Sequence, residues 1–234
     1  MRIIYYIPAV CFSLLLITCQ SDNTGPLVKE EVPEVKQIKK KEDSILQVLD
    51  KKTGVQNKTI WHSPRILIQR LGNLSTKTVA NIGAGPYGYF SFQIADKARK
   101  VIAIDIDPKA IHFMDSMRLL LLPPTLQENL ETRLVEPDDP NLRFEEADVV
   151  TIMNTYAYLP NRIKYLKNLR NGIARGGEIL IVDFKMRKLP IGPPQSEKVP
   201  LYQVELDLEE AGYQIKLVDD KSLEYQYMVL AVNP

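Results

Sequence analysis

The chain has 234 residues, of which 45% are hydrophobic and 25% charged, as expected for one globular domain with additional segments. Its 30 Lys and Arg residues almost balance its 29 Asp and Glu residues, so the net charge is +1. A charge this small gives no basic field for a nucleic-acid backbone, and we expect no nucleic acid as a partner. Cys11 and Cys19 are the only cysteines in the sequence. Disulfides, zinc–thiolate sites and cysteine nucleophiles are therefore excluded beyond residue 19.

The first 18 residues are predicted to be a signal peptide. Met1 and Arg2 precede an apolar run, IIYYIPAVCFSLLLIT, that contains no charged residue. About 15 apolar residues suit a secretory signal better than a membrane span, which needs about 20. The end of the run, LLITC, resembles the lipobox of bacterial lipoproteins, although Thr18 departs from the Gly, Ala or Ser usual before the cysteine. The resemblance implies lipidation of Cys19 and anchoring on the periplasmic side of a membrane, with an uncleaved signal anchor as the alternative.

Residues 19–43 are predicted to form a flexible tether. They mix two prolines and alternating charge clusters with few apolar residues. Such a composition cannot bury a core. A folded domain is therefore expected over residues 44–234.

Helix and strand patterns alternate through this domain. SILQVLDKK predicts a short helix, and SPRILIQRL predicts another, with Ser63 as N-cap, Pro64 at its first position and its end at Gly72. Asp107 and Pro108 start a helix that Pro123 ends, and further helices are predicted over 160–174 and 204–212. Seven β-rich runs predict strands at 78–82, 100–105, 131–135, 147–153, 178–184, 213–219 and 224–232.

The strand composition predicts the fold class. Runs such as VIAI and ILIV are apolar throughout, which is typical of parallel strands covered on both faces. The last two runs are joined by DKS without a helix, so they form an antiparallel hairpin. We predict an α/β fold: a Rossmann-like, seven-stranded doubly wound sheet with helices on both faces and an antiparallel C-terminal hairpin.

A glycine turn after the first strand predicts a nucleotide site. Gly83, Gly85 and Gly88 form the pattern G-x-G-x-x-G in NIGAGPYG. In a doubly wound sheet, ligands bind beyond the carboxyl ends of the strands where the strand order reverses, and this turn lies there. Asp105 ends the second strand, where a carboxylate accepts both hydrogen bonds of a ribose diol. Dinucleotides and adenosyl cofactors both contain that ribose, so these residues alone leave the cofactor open.

Five segments in order resemble the class I S-adenosylmethionine (SAM)-dependent methyltransferases, from about residue 60 to the C-terminus. They are TVANIGAGPYG, VIAIDIDPKAI, EADVVTIMNTYAYL, LRNGIARGGEILIVDF, and LEEAGY with the final hairpin. The hairpin resembles the reversed seventh strand of that family, whereas dinucleotide-binding sheets are normally all parallel. The resemblance implies SAM as cofactor and methyl transfer to a small-molecule or lipid acceptor.

The resemblance also assigns roles to single positions. Gly83, Ala84 and Gly85 would line the methionine moiety and the sulfonium. Asp105 would hold the ribose hydroxyls, and Ile106 would lie near the adenine.

Three polar positions complete the cofactor site that the resemblance implies. Glu136 would lie beside the adenine, and Asn154 would contact the methionine moiety or the acceptor. Asn81 stands where the family commonly has a carboxylate that acts on the amino-acid end of the cofactor. An amide keeps the hydrogen bonding and lacks the charge, so we expect a weaker attraction for the ammonium group.

Four tyrosines near the predicted site are candidate contacts for the acceptor. Tyr87 and Tyr89 follow the glycine turn, and Tyr156 and Tyr158 follow the fourth strand. Aromatic rings at a methyl-transfer site pack on the substrate or favour the sulfonium through cation–π contact. No catalytic group is evident, since displacement at a sulfonium needs mainly alignment.

Two other functions stay open at this point. A non-catalytic exported binding module would account for Asn81 and for the export signal, because SAM is made in the cytosol. An NAD(P)-dependent oxidoreductase would also use the glycine turn and Asp105.

Overall fold

The computed structural model describes residues 64–234. Its strands are β1 (Thr78–Ile82), β2 (Lys100–Asp105), β3 (Leu130–Leu134), β4 (Ala147–Met153), β5 (Ile173–Phe184), β6 (Gln214–Asp219) and β7 (Gln226–Val232). Its helices are α1 (Pro64–Leu71), α2 (Tyr89–Ile94), α3 (Pro108–Leu121), α4 (Pro124–Gln127), α5 (Arg162–Gly172) and α6 (Leu201–Glu210), with short 3₁₀ turns at Tyr156–Tyr158 and Gln195–Glu197. The signal peptide, the tether, the helix near residue 44 and the Ser63 cap lie outside the described residues.

The strands form one mixed sheet in the order β3-β2-β1-β4-β5-β7-β6. The pairs among β1 to β5 are parallel, and β7 is antiparallel to both β5 and β6. The predicted fold class is confirmed. The strand order reverses between β1 and β4, so the loops after these two strands open a crevice at the carboxyl edge of the sheet.

Both faces of the sheet are covered, which explains the uniformly apolar strands. On one face Leu67, Ile94 and Met114 pack against strand residues such as Val101 and Leu180. On the other face the core includes Leu166 of α5 and Leu208 of α6, packed with Ile102, Ile152 and Ile181. Each buried aliphatic side chain contributes about 1.5–3 kcal/mol relative to exposure.

The predicted starts of two elements are wrong by several residues. β5 begins at Ile173, inside the segment 160–174 that was predicted to be helical, and α6 begins at Leu201 instead of at residue 204. The N–H of Gly176 donates to the carbonyl of Asn233, and the N–H of Asn233 donates to the carbonyl of Gly177. The chain end therefore extends β5 across two glycines that the sequence pattern assigns to a turn.

The helices of residues 64–234 are short. Within this range, no helix combines the length and the apolar character needed to cross a bilayer.

Candidate active site

The glycine turn is attached to the end of β2. Gly83 and Gly85 have φ of +68° and +76°, in the left-handed region that favours glycine. The N–H of Ala84 donates to the carbonyl of Ile104 at 2.9 Å. The N–H of Gly85 donates to Oδ2 of Asp105 at 2.7 Å. The acid at the end of β2 therefore fixes the turn that follows β1.

Two adjoining pockets open at this edge of the sheet. The first, here called the glycine-loop cleft, has a volume of about 260 Å³ and lies beyond β1 and β4. The second, here called the Asp105 pocket, has a volume of about 240 Å³ and lies beyond β2 and β3. Gly83, Gly85 and Thr155 line both. A ligand that extends from one pocket to the other must pass the glycine turn.

The structure brings all eight predicted cofactor residues to these two pockets. Besides the shared Gly83 and Gly85, the glycine-loop cleft has Asn81, Ala84 and Asn154 in its lining, and the Asp105 pocket has Asp105, Ile106 and Glu136. The arrangement fits a cofactor whose adenosine lies in the Asp105 pocket and whose methionine arm lies in the cleft. The binding role of each residue stays a prediction.

Asp105 has hydrogen-bonding capacity left for a ligand. Its side chain is 9% exposed and faces the pocket named after it. Oδ2 accepts from Gly85, and Oδ1 accepts from the N–H of Asp107 at 3.0 Å. Each carboxylate oxygen has two lone pairs, so each can accept one more hydrogen bond, as a ribose diol requires.

Asn81 on β1 belongs to a buried row of hydrogen-bonded polar side chains that also includes one residue of β4 and one of α2. It is 2% exposed, its Nδ2 donates to Oγ of Ser91 at 3.0 Å, and its Oδ1 accepts from Oγ1 of Thr151 at 2.9 Å. Both partners are hydroxyl groups, which can donate or accept. The site is therefore built so that either an amide or a carboxylate at this position would find partners.

Asn154 is held in an unusual conformation after β4. Its φ is +54°, its N–H donates to the carbonyl of Val182 at 2.8 Å, and its Oδ1 accepts from Nε2 of Gln226 at 2.6 Å. Gln226, which is 1% exposed, had no sequence signal because it lies 72 positions further along the chain. Within the described part of the chain the Nδ2 group of Asn154 makes no hydrogen bond, and it is the group left to meet a ligand.

The four predicted tyrosines occupy three different environments. Tyr87 and Tyr89 line the glycine-loop cleft. Tyr158 lines the Asp105 pocket, is 61% exposed, and its hydroxyl lies 3.4 Å from Oε2 of Glu197. Tyr156 lies in the core instead: it is fully buried, and its hydroxyl donates to Oδ2 of Asp207 at 2.7 Å. The short 3₁₀ turn directs its first tyrosine inward and its last one outward. Tyr156 therefore lines neither pocket, and its predicted contact with the acceptor is wrong.

Sequence reasoning missed other lining residues. Thr155, Met153 and Phe90 line the glycine-loop cleft, and Thr155 also lines the Asp105 pocket. A signal for Thr155 was present, because it directly follows Asn154. None of the described residues that line the cleft is charged. Chemistry in the cleft must therefore depend on alignment and hydrogen bonding rather than on an ionised base from these residues.

A buried acid at the end of β5 lies close to the 3₁₀ turn that follows β4. Asp183 ends β5 and is 2% exposed, and its Oδ1 accepts from the N–H of Phe184 at 2.7 Å. Burial raises the pKa of this carboxyl to about 6, against the opposing effect of the backbone N–H groups of Phe184, Ala157 and Tyr156.

Replacing Asp183 with asparagine should alter the pH dependence of stability. A carboxyl whose pKa is higher in the folded chain binds protons more tightly there, so its contribution to the free energy of unfolding falls as pH rises from about 4 to about 6. Between about pH 4 and pH 6 the free energy of unfolding of the wild type should therefore fall by on the order of 2 kcal/mol. The Asp183→Asn variant should not show this fall. Urea unfolding at a series of pH values would measure it. Asp138→Asn, an exposed acid, is the control, and identical profiles for wild type and Asp183→Asn would contradict the prediction.

Comparisons with known proteins agree with this geometry. Residues 80–181 match the family model Methyltransf_11, described as a methyltransferase domain. No curated protein matches the sequence. Among solved structures, a SAM-dependent methyltransferase from Aquifex aeolicus superposes with a TM-score of 0.70 at 21% identity, covering 82% of this chain and 98% of that one.

More distant structures share the same fold. A SAM-dependent methyltransferase from Mesorhizobium loti has a TM-score of 0.61 at 12% identity, covering 76% of this chain and 99% of that one. The [4+2]-cyclase SpnF has a TM-score of 0.63 at 12% identity, covering 74% of this chain and 81% of that one. The fold is therefore that of the SAM-dependent methyltransferases. The segment from β1 through most of β5 carries the sequence pattern of a methyltransferase domain.

Proposed function

We propose that this chain is a SAM-dependent methyltransferase that acts on a small-molecule or lipid acceptor. One observation carries the proposal: the glycine turn and Asp105 join two pockets that the eight predicted cofactor residues line. The fold and the match to a methyltransferase domain support it.

The residues of the site suggest how the chain would promote methyl transfer. Bound SAM would supply a methyl group already activated by its sulfonium. Asp105 and the glycine turn would fix the cofactor, and the Nδ2 group of Asn154 would orient either the methionine arm or the acceptor. Tyr87 and Tyr89 would pack on the acceptor and exclude water. Holding two reactants in register accounts for ~7–11 kcal/mol of a barrier, so no dedicated base is required for many acceptors.

Titration calorimetry with SAM, NADH and NADPH tests the cofactor assignment. We expect saturable binding of SAM and of S-adenosylhomocysteine and no binding of the nicotinamide cofactors. Tight binding of a nicotinamide cofactor without SAM binding would favour the oxidoreductase instead.

A second candidate function is a non-catalytic binding module that keeps the fold. The uncharged Asn81 favours it, because an amide attracts the ammonium group of SAM less than a carboxylate does. Detection of S-adenosylhomocysteine after incubation with SAM and a panel of acceptors separates the candidates. A protein that binds SAM and never forms this product would favour the second.

Restoring a carboxylate with Asn81→Asp is predicted to tighten SAM binding about tenfold, since an ion pair with the ammonium group adds ~1–2 kcal/mol. The hydroxyls of Ser91 and Thr151 can both donate to the new carboxylate. The ligand-free protein should unfold at a lower temperature, because the new charge is buried without a counter-ion. Calorimetry and thermal unfolding measure the two effects.

The control for this substitution is Asn168→Asp on the exposed side of α5, which should leave SAM affinity unchanged. A folded Asn81→Asp variant with wild-type or weaker affinity would place the ammonium group elsewhere.

We also propose that residues 1–18 are removed and that Cys19 is lipidated, with the domain on the periplasmic side. The support is the LLITC sequence and the composition of the tether. Mass spectrometry of the native protein tests this. The lipid should be absent from the Cys19→Ser variant and present on the control variant Cys11→Ser. An unprocessed, non-acylated N-terminus in the native protein would overturn it.

A further inference from the structure

A larger concavity, of about 440 Å³, lies at the opposite edge of the sheet. Its lining includes Ile173, the first residue of β5, and Asn233, just beyond β7. β5 runs parallel to β1 and β4, so its first residue marks the amino edge, whereas the glycine turn lies at the carboxyl edge. We call this concavity the basic pocket, and it is separate from the candidate active site.

Positive charge dominates the basic pocket. Lys167, Arg170 and Arg175 line it, against the single acid Glu145. Among the described residues none of the three cations forms an ion pair. Three cationic side chains and one anionic side chain leave an excess of two positive charges.

Arg170 is held in place from two sides. Its Nε donates to Oδ1 of Asn233 at 2.8 Å, and Asn233, 6% exposed, donates from Nδ2 to the carbonyl of Ile173 at 2.8 Å. Gly212 lies against the guanidinium, because a Cβ added there would be 2.3 Å from one terminal nitrogen of Arg170. In the part of the chain that the structure describes, the two terminal nitrogens of Arg170 make no hydrogen bond. An arginine fixed in this way loses little entropy when it binds an anion.

We propose that the basic pocket binds a phosphate group, carried either by a soluble phosphorylated compound or by an anionic lipid headgroup. The excess of cationic side chains attracts a phosphate group, and arginine binds phosphate oxygens through paired N–H groups. Phe144 lines the pocket and is 79% exposed, an unusual position for an aromatic ring. It gives the organic part of such a ligand an apolar surface beside the phosphate.

Binding of inorganic pyrophosphate to the full chain tests the pocket, measured by calorimetry at low ionic strength, where charge interactions are least screened. The double variant Lys167→Ala/Arg175→Ala removes two cations and leaves the Arg170–Asn233 contact intact. The matched control, Lys164→Ala/Arg65→Ala, removes the same charge from exposed helix positions outside the pocket. We expect at least about a tenfold weaker affinity for the pocket variant and less than about a twofold change for the control.

Vesicle binding distinguishes the two sources of phosphate. Phosphatidylcholine vesicles with and without phosphatidic acid report the contribution of the anionic headgroup. Any membrane affinity of the N-terminal segment itself is common to both kinds of vesicle. Pocket-dependent binding of pyrophosphate indicates a soluble ligand, and pocket-dependent binding to phosphatidic acid alone indicates a lipid. Equal losses in the two double variants, or no binding of either probe by wild type, would overturn the proposal. SAM affinity should be the same in all three proteins, so failure here leaves the proposed function untouched.

Discussion

Replacing Asp105 with asparagine is expected to weaken SAM binding by about 100-fold or more while leaving the sheet folded. The carboxylate serves two sets of partners. It accepts from the backbone N–H groups of Gly85 and Asp107, and it has lone pairs for a ribose diol. An asparagine presents an NH₂ group to one of these backbone donors, so a hydrogen bond becomes a contact between two donors.

The size of the effect follows from the two hydrogen bonds that a ribose diol makes to the carboxylate. A hydrogen bond to a charged group contributes ~1.5–3 kcal/mol, and the variant removes the charge from both bonds and offers an NH₂ group to one of the hydroxyls. The combined ~3–6 kcal/mol corresponds to about two to four orders of magnitude in affinity. Calorimetry with SAM measures the change directly.

A double-mutant cycle separates support of the turn from contact with the ribose. Wild type and Asp105→Asn are each titrated with SAM and with its 2′-deoxy analogue. If the carboxylate binds the ribose, the missing hydroxyl weakens binding to wild type far more than binding to the variant. Asp107→Asn is the control, because its side chain caps α3 by accepting from the N–H of Lys109 at 2.9 Å, and asparagine caps helices equally well. Equal effects of the analogue on both proteins would remove Asp105 from the ribose site.

Local pattern predicted the central parallel strands well, because each is a short, mostly apolar and β-branched run. β1, β2 and β4 begin and end at the predicted residues. The start of β5 was wrong because tertiary pairing decided it: Ala147 pairs with Ile173, and Asn233 extends the pairing across Gly176 and Gly177. A local sequence pattern cannot show that a residue near the other end of the chain will pair with a segment and extend its strand.

The same distinction applies to the site. Positions next to strand ends, such as Asp105 and Asn154, were placed at the pockets because topology alone brings carboxyl ends together. The direction of a side chain within a turn was not predictable. Tyr156 faces inward because Asp207, 51 positions away, accepts its hydroxyl hydrogen bond inside the core. Gln226 supports Asn154 from the reversed strand β7, which only the folded sheet reveals.

Gly83→Ala is expected to lower SAM affinity by about 100-fold and the free energy of unfolding by ~1–3 kcal/mol. Alanine at φ +68° costs ~1–2 kcal/mol because its Cβ approaches the following carbonyl. The new Cβ would also lie 2.4 Å from both Oγ1 and Cγ2 of Thr155. Since Thr155 lines both pockets, this conflict would change the wall that a cofactor contacts where it passes from one pocket to the other. Calorimetry and urea unfolding measure the two effects.

Backbone strain and steric conflict can be separated by two further variants. Gly176 has φ +72° and no atom within 4 Å of an added Cβ, so Gly176→Ala should cost stability through strain alone and leave SAM affinity unchanged. Adding Thr155→Ala to Gly83→Ala removes the two closest atoms and leaves the Cβ of residue 155 at 2.8 Å, so part of the affinity should return. A folded Gly83→Ala protein with wild-type affinity would mean that the glycine turn does not contact the cofactor. Recovery of affinity in the double variant would show that the passage between the cleft and the Asp105 pocket, rather than turn conformation alone, limits binding.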